Sequence, residues 1–119
     1  MNLVQKYIND PSFLLRLGPA LVMLFFGIDQ FRNPGNWLQY VPSWAVNMTG
    51  ISPYTILRLH SIVNIVLGIL LFTYRSKAVV WVVFFWFLSI LPFAFMGDWT
   101  VGLRDTAITL GLLALTRLI

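Results

Sequence analysis

Between Ala78 and Met96 the chain runs without a single charged residue, and Ile56–Phe72 is nearly as apolar. Crossing roughly 30 Å of hydrocarbon takes about 20 apolar residues in a helix that rises about 1.5 Å per residue. Runs of this length and character therefore point to a bilayer before any other environment. Composition agrees, with 59% hydrophobic and 10% charged residues among 119, against about 25% charged in ordinary soluble domains. The length allows one domain, residues 1–119. The predicted fold is all-α, an integral membrane four-helix bundle with a short interfacial helical cap between helices one and two.

Boundary signals divide the chain. Asp10-Pro11 and Ser52-Pro53 each place a capping residue before a proline, the pattern of a helix start. Asn33-Pro34-Gly35-Asn36 ends the first helix, Arg75-Ser76-Lys77 is a very short turn, and Gly97-Asp98-Trp99-Thr100 is another. The expected spans are about 12–31, 53–74, 77–96 and 100–118. In helix one Gly18, Val22, Phe25 and Asp29 fall on one face, and Arg16 is expected to snorkel to the surface. Residues 36–50 carry Trp37, Tyr40, Val41, Trp44, Ala45 and Met48 at helical spacing, broken at Pro42. That segment is too short to span and suits the water–lipid boundary, so it reads as a cap lying over the bundle. Helix three, charge-free and aromatic all round, reads as the lipid-facing member, with a kink at Pro92.

Several chemistries are excluded. There is no cysteine, hence no disulfide, thiol redox centre or cysteine-ligated cluster. A haem or mononuclear metal would depend on His60 alone, so no metal site is expected. The net charge of +4 is scattered at the ends of the apolar runs, which is not the basic patch of a nucleic-acid binder. The amino terminus lacks the small-residue cleavage site of a secretory signal. With four crossings, Lys6, Arg16, Arg75, Lys77 and Arg117 fall on one side, so both termini are expected in the cytoplasm of a multi-pass cell-membrane protein.

The polar residues inside apolar segments are the candidate site. Leu57, His60, Ser61, Asn64 and Gly68 share one arc of helix two. Helix four carries Arg104 and Asp105 side by side. Adjacent helical residues point about 100° apart, so each is expected to reach a different helix rather than its neighbour. Asp29, Arg58, Arg104 and Asp105 lie at matched depth, roughly 5–10 Å from the outer boundary, with His60 and Asn64 about 9–15 Å below it. Two aspartates balance two arginines, as an interior ion network requires. Such a network either fixes helix register alone or lines a polar pocket under the cap. In that pocket Arg58 and Arg104 would act as anion or carbonyl donors, and His60 as a proton carrier or a helix–helix hydrogen-bonding residue.

Leu15-Arg16-Leu17-Gly18, then Phe26-Gly27-Ile28-Asp29-Gln30-Phe31 followed by Pro34, Tyr40 and Pro42, resembles the first helix and loop of the DoxX family. Asn64-Ile65-Val66-Leu67-Gly68, and Leu103-Arg104-Asp105 with Gly111, fit the same pattern over nearly the whole chain. Where the family commonly has a glutamate, this chain has Asn64. The resemblance implies a four-helix membrane protein. Some relatives are described as the membrane subunit of a thiosulfate:quinone oxidoreductase, others as partners in thiol-stress or superoxide-defence complexes. It thus implies a redox-associated, quinone-linked membrane subunit with a polar pocket near the outer leaflet. Quinone would be the cofactor, with a redox partner protein, the lipid bilayer and a second copy as partners. The alternative is a non-catalytic membrane scaffold or small-lipophile-binding protein.

Overall fold

The computed structural model describes residues 2–119, and among them every regular element is helical. A short helix, α1 (Leu3–Ile8), opens with a reciprocal capping box between Asn2 and Gln5. In α2 (Pro11–Arg32) the Asp10 carboxylate accepts from the Ser12 N–H at 3.0 Å, satisfying one of the first-turn donors that a helix leaves unpaired. The interfacial segment folds as two short pieces, a 3-10 helix (Pro34–Tyr40) and α3 (Ser43–Thr49), separated at Pro42. Gly50, at φ 68°, ends α3 in the left-handed conformation that glycine adopts without steric cost. Three long helices follow: α4 (Pro53–Thr73), α5 (Lys77–Gly97) and α6 (Trp99–Leu118).

Among the described residues α2, α4 and α5 are long and apolar enough to cross a membrane. Their outer faces carry Phe25, Val66 and Phe85 in the open, side chains that hydrocarbon accommodates and water does not. α6 has similar length but, with its Arg104-Asp105 pair and Arg117, is not among the three.

Two helix pairs build the body. In the first, Gly68 lies beside the Ala20 carbonyl and Gly27 beside the Ser61 carbonyl, so α2 and α4 run antiparallel. A Cβ on Gly27 would sit 2.9 Å from Ile65 Cγ1 and 3.1 Å from the Ser61 oxygen; only a residue without one permits this approach. In the second pair, α5 turns at Asp98 into α6, and the Asp98 carboxylate accepts from both the N–H and the hydroxyl of Thr100. A common core of Ala20, Met23, Leu71, Val80, Val83, Phe87, Leu112 and Leu115 joins the pairs.

Two expectations for α2 are corrected. Its buried face is Ser12, Arg16, Ala20, Met23, Gly27 and Gln30, whereas Gly18 and Phe25 are exposed. The small residues that set the contact with α4 are Ala20 and Gly27, and nothing lies within 4 Å of a Cβ built on Gly18. Arg16, in turn, does not snorkel. It is 6% exposed, with Nε donating to the Ser12 carbonyl at 3.3 Å and Nη1 to the Leu71 carbonyl at 3.2 Å. Leu71 is in the last turn of α4, where carbonyls lack helical partners and the helix dipole favours a cation. That carbonyl holds the guanidinium inside.

Candidate functional site

A cavity of about 360 Å³ lies beneath the 3-10 helix, between the two helix pairs. The 3-10 helix closes it with Trp37 and Tyr40, while α2 contributes Phe26 and Gln30, α4 His60 and α5 Trp86. Most of its wall is apolar, and its polar groups fall into two sets.

The first set is a chain of hydrogen bonds across three helices. Trp86 Nε1–H donates to Asn64 Oδ1 at 2.7 Å, and Asn64 Nδ2 donates to Gln30 Oε1 at 3.1 Å. Asn64 is 6% and Gln30 7% exposed; buried amides of this kind cost free energy unless paired. His60 stacks on the Trp86 ring, centroids 4.8 Å apart at 25°. The second set is Arg104 and Asp105 on α6. Arg104 Nε and Nη2 both donate to Asp105 Oδ1, at 3.1 and 2.9 Å. The guanidinium carbon stands 4.5 Å from the centre of the Phe26 ring, a cation–π distance.

Tyr40 anchors the cap onto α5. Its ring lies so close to Gly97 that any Cβ there would collide with it. Burial of the ring, and then the nearby Asp98 carboxylate, push its phenol above the ordinary tyrosine value, so it stays protonated and able to donate. Trp37 is tethered from the other side, its indole N–H donating to Asp29 Oδ2 at 2.7 Å.

His60, Asn64, Arg104 and Asp105 thus line one cavity, but the four-charge network across helices does not form. Asp29 binds Trp37 and Asn33 instead. Arg58 is exposed, its guanidinium 5.9 Å from the Phe31 ring. Arg104 pairs with its own neighbour, because a long flexible stem can swing its head back across the angle that separates adjacent Cβ atoms. The third long helix is also more than a lipid-facing wall: α5 supplies Trp86 and, through Phe87 and Ala94, part of the cavity lining. Gln30 and Trp86 were not singled out from sequence. Gln30 carried a weak signal, a second polar residue beside Asp29 in an apolar run; Trp86 carried none among so many aromatics.

Chemically, the cavity can hold an apolar molecule and meet its polar end with hydrogen-bonding side chains. Among the described residues no three His, Cys, Asp or Glu side chains gather in a group able to hold a metal ion. Comparison with protein-family models, with curated proteins and with solved structures finds no match to this chain.

Proposed function

We propose that this chain is a multi-pass membrane protein of DoxX type, with α6 as a fourth crossing, which binds a small lipophile in the cavity beneath the cap. The reading is a quinone-linked, redox-associated subunit. One observation carries it: an apolar cavity of about 360 Å³, near the small end of the roughly 300–1,000 Å³ usual for small-molecule sites, with a few polar groups along its wall. A carbonyl-bearing ring fits that lining, since Gln30, Tyr40 and Arg104 all carry N–H or O–H donors. A bound quinone would supply the redox chemistry, and electrons would reach it from the cofactor of a partner protein. The protein's own residues hold and orient the ring, while the cap shields it.

The test is the lipophilic material that copurifies with the protein, identified by mass spectrometry. Isoprenoid quinone at near one equivalent, displaced when cavity residues are filled by Ala45→Phe, is the expected result. A non-redox lipophile under the same conditions would favour the carrier or scaffold reading, and no bound lipophile would overturn lipophile binding altogether.

A further inference from the structure

Of the residues that line the cavity, Ser89 on α5 is the one that is also exposed, so the cavity reaches the outer surface there. The stack of His60 on Trp86 brings one flank of α4 against one flank of α5. Towards the cap these flanks continue as Ile56 on α4 and as Ser89 and Phe93 on α5, all three lining the cavity. Trp86 to Phe93 covers about 10 Å at the rise of a helix. Above, Trp44 of α3 meets Phe93, ring centroids 6.1 Å apart, and the 3-10 helix packs against both α4 and α5. The result is a slot between two helices, with the His60–Trp86 stack as its floor and the cap as its lintel. Leu59 and Val63 on α4, and Phe85 and Leu88 on α5, are exposed beside it, so it opens on hydrocarbon. The Ser89 hydroxyl already donates to the Trp86 carbonyl at 2.7 Å and leaves no unpaired donor facing a passing chain.

From this we infer that the lipophile of the cavity carries a hydrocarbon chain, and that the chain leaves through the α4–α5 slot, past Ser89, into the bilayer. At about 360 Å³ the cavity is near the small end for small-molecule sites; a ring system fills it, and a long chain must lie outside. The opposite flank suits a chain poorly. There Arg104 of α6 stands 4.5 Å from the ring of Phe26 on α2 and pairs with Asp105, and taking a charge out of water against hydrocarbon is costly. The slot also names the source of the ligand, since a lateral opening takes molecules dissolved in the membrane. The inference rests on the proposed lipophile site and adds the chain and its path.

The experiment compares menadione, a naphthoquinone ring without a chain, with phylloquinone, the same ring bearing a phytyl chain. Apparent affinities are taken from thermal midpoints of the full chain in detergent over a range of each probe. They are compared between proteins, so that partition into micelles cancels. Ser89→Trp fills the slot. It should lower the phylloquinone-to-menadione affinity ratio about tenfold, the scale of forcing a chain into occupied space; a ratio that Ser89→Trp leaves unchanged overturns the inference. A second measurement needs no variant. Phylloquinone carrying a diazirine near the ring end of its chain is irradiated on the unaltered protein, and the adducts lost on adding excess unlabelled phylloquinone are mapped. Adducts on Ile56, Ser89 or Phe93 are expected. Adducts on Phe26 or Arg104 instead put the chain on the other flank and overturn the inference. Failure of both probes to bind the unaltered protein overturns the quinone site itself, and this inference with it.

Discussion

Arg104 and Asp105 show how much a single stem length matters inside a membrane protein. The Asp105 carboxylate is nearly buried and takes both its hydrogen bonds from Arg104, whose own side chain is 36% exposed. Breaking a buried pair by removing one partner leaves an uncompensated charge. Arg104→Leu should therefore lower stability by about 3 kcal/mol, the low end for such losses because Arg104 is partly open. Adding Asp105→Asn should recover much of that, whereas adding Asp29→Asn should recover none; thermal unfolding in detergent of each single and double change checks this. Rescue by Asp29→Asn instead would mean that the neighbour pair is not the working one. Sequence made these charges conspicuous but mispaired them, because helical geometry gives the direction of Cβ and not the sweep of an arginine. His60 and Asn64 were legible for the opposite reason. They are short, fixed on a face already marked by Ser61 and Gly68, and go where their backbone points. Gln30 and Trp86 escaped notice since each becomes a polar site residue only through the asparagine between them.

At the scale of elements, the helix starts were the easiest feature to read. Asp10-Pro11 and Ser52-Pro53 do precede α2 and α4, although Ser52 makes no side-chain capping bond. Facing was harder. The buried face of α2 was hidden because Gly18 looks as suitable for close packing as Gly27, and only the position of α4 distinguishes them. The α6 cap yields a pH prediction, since Asp98 stands outside the spans. Hydrogen bonds from the Thr100 hydroxyl and then its N–H hold the Asp98 carboxyl below the ordinary aspartate value. A carboxyl lowered by folding stabilises fully above its unfolded value, and that contribution is lost as pH falls through the folded one. The thermal midpoint should thus decline on the acid side. Asp98→Asn, which can still cap but does not titrate, should flatten that decline; an unchanged acid limb would assign it to other groups.

For the whole molecule, the proposed orientation puts Lys6, Arg75, Lys77 and Arg117 on the cytoplasmic side and the cap on the other. Reporter fusions at residue 119 and within the Arg75–Lys77 turn should both read cytoplasm, and one after Asn47 should not. A non-cytoplasmic carboxy terminus would remove α6 as a crossing or invert the protein. The pairing of helices bears on how the ribosome can deliver this chain. α2 packs along α4 and α5 along α6, more extensively than α4 packs with its immediate successor α5. Each pair can therefore complete its main contacts before, or without, the other. On that footing the turn between α4 and α5 need only hold the two pairs close enough for their shared core, which includes Leu71, Val83 and Leu112, to close. Two open reading frames encoding residues 1–75 and 76–119, translated together, should consequently meet in the bilayer and copurify through a tag on either one. If the halves never copurify, the connecting turn is needed for assembly itself, and translation must deliver all the helices on one nascent chain.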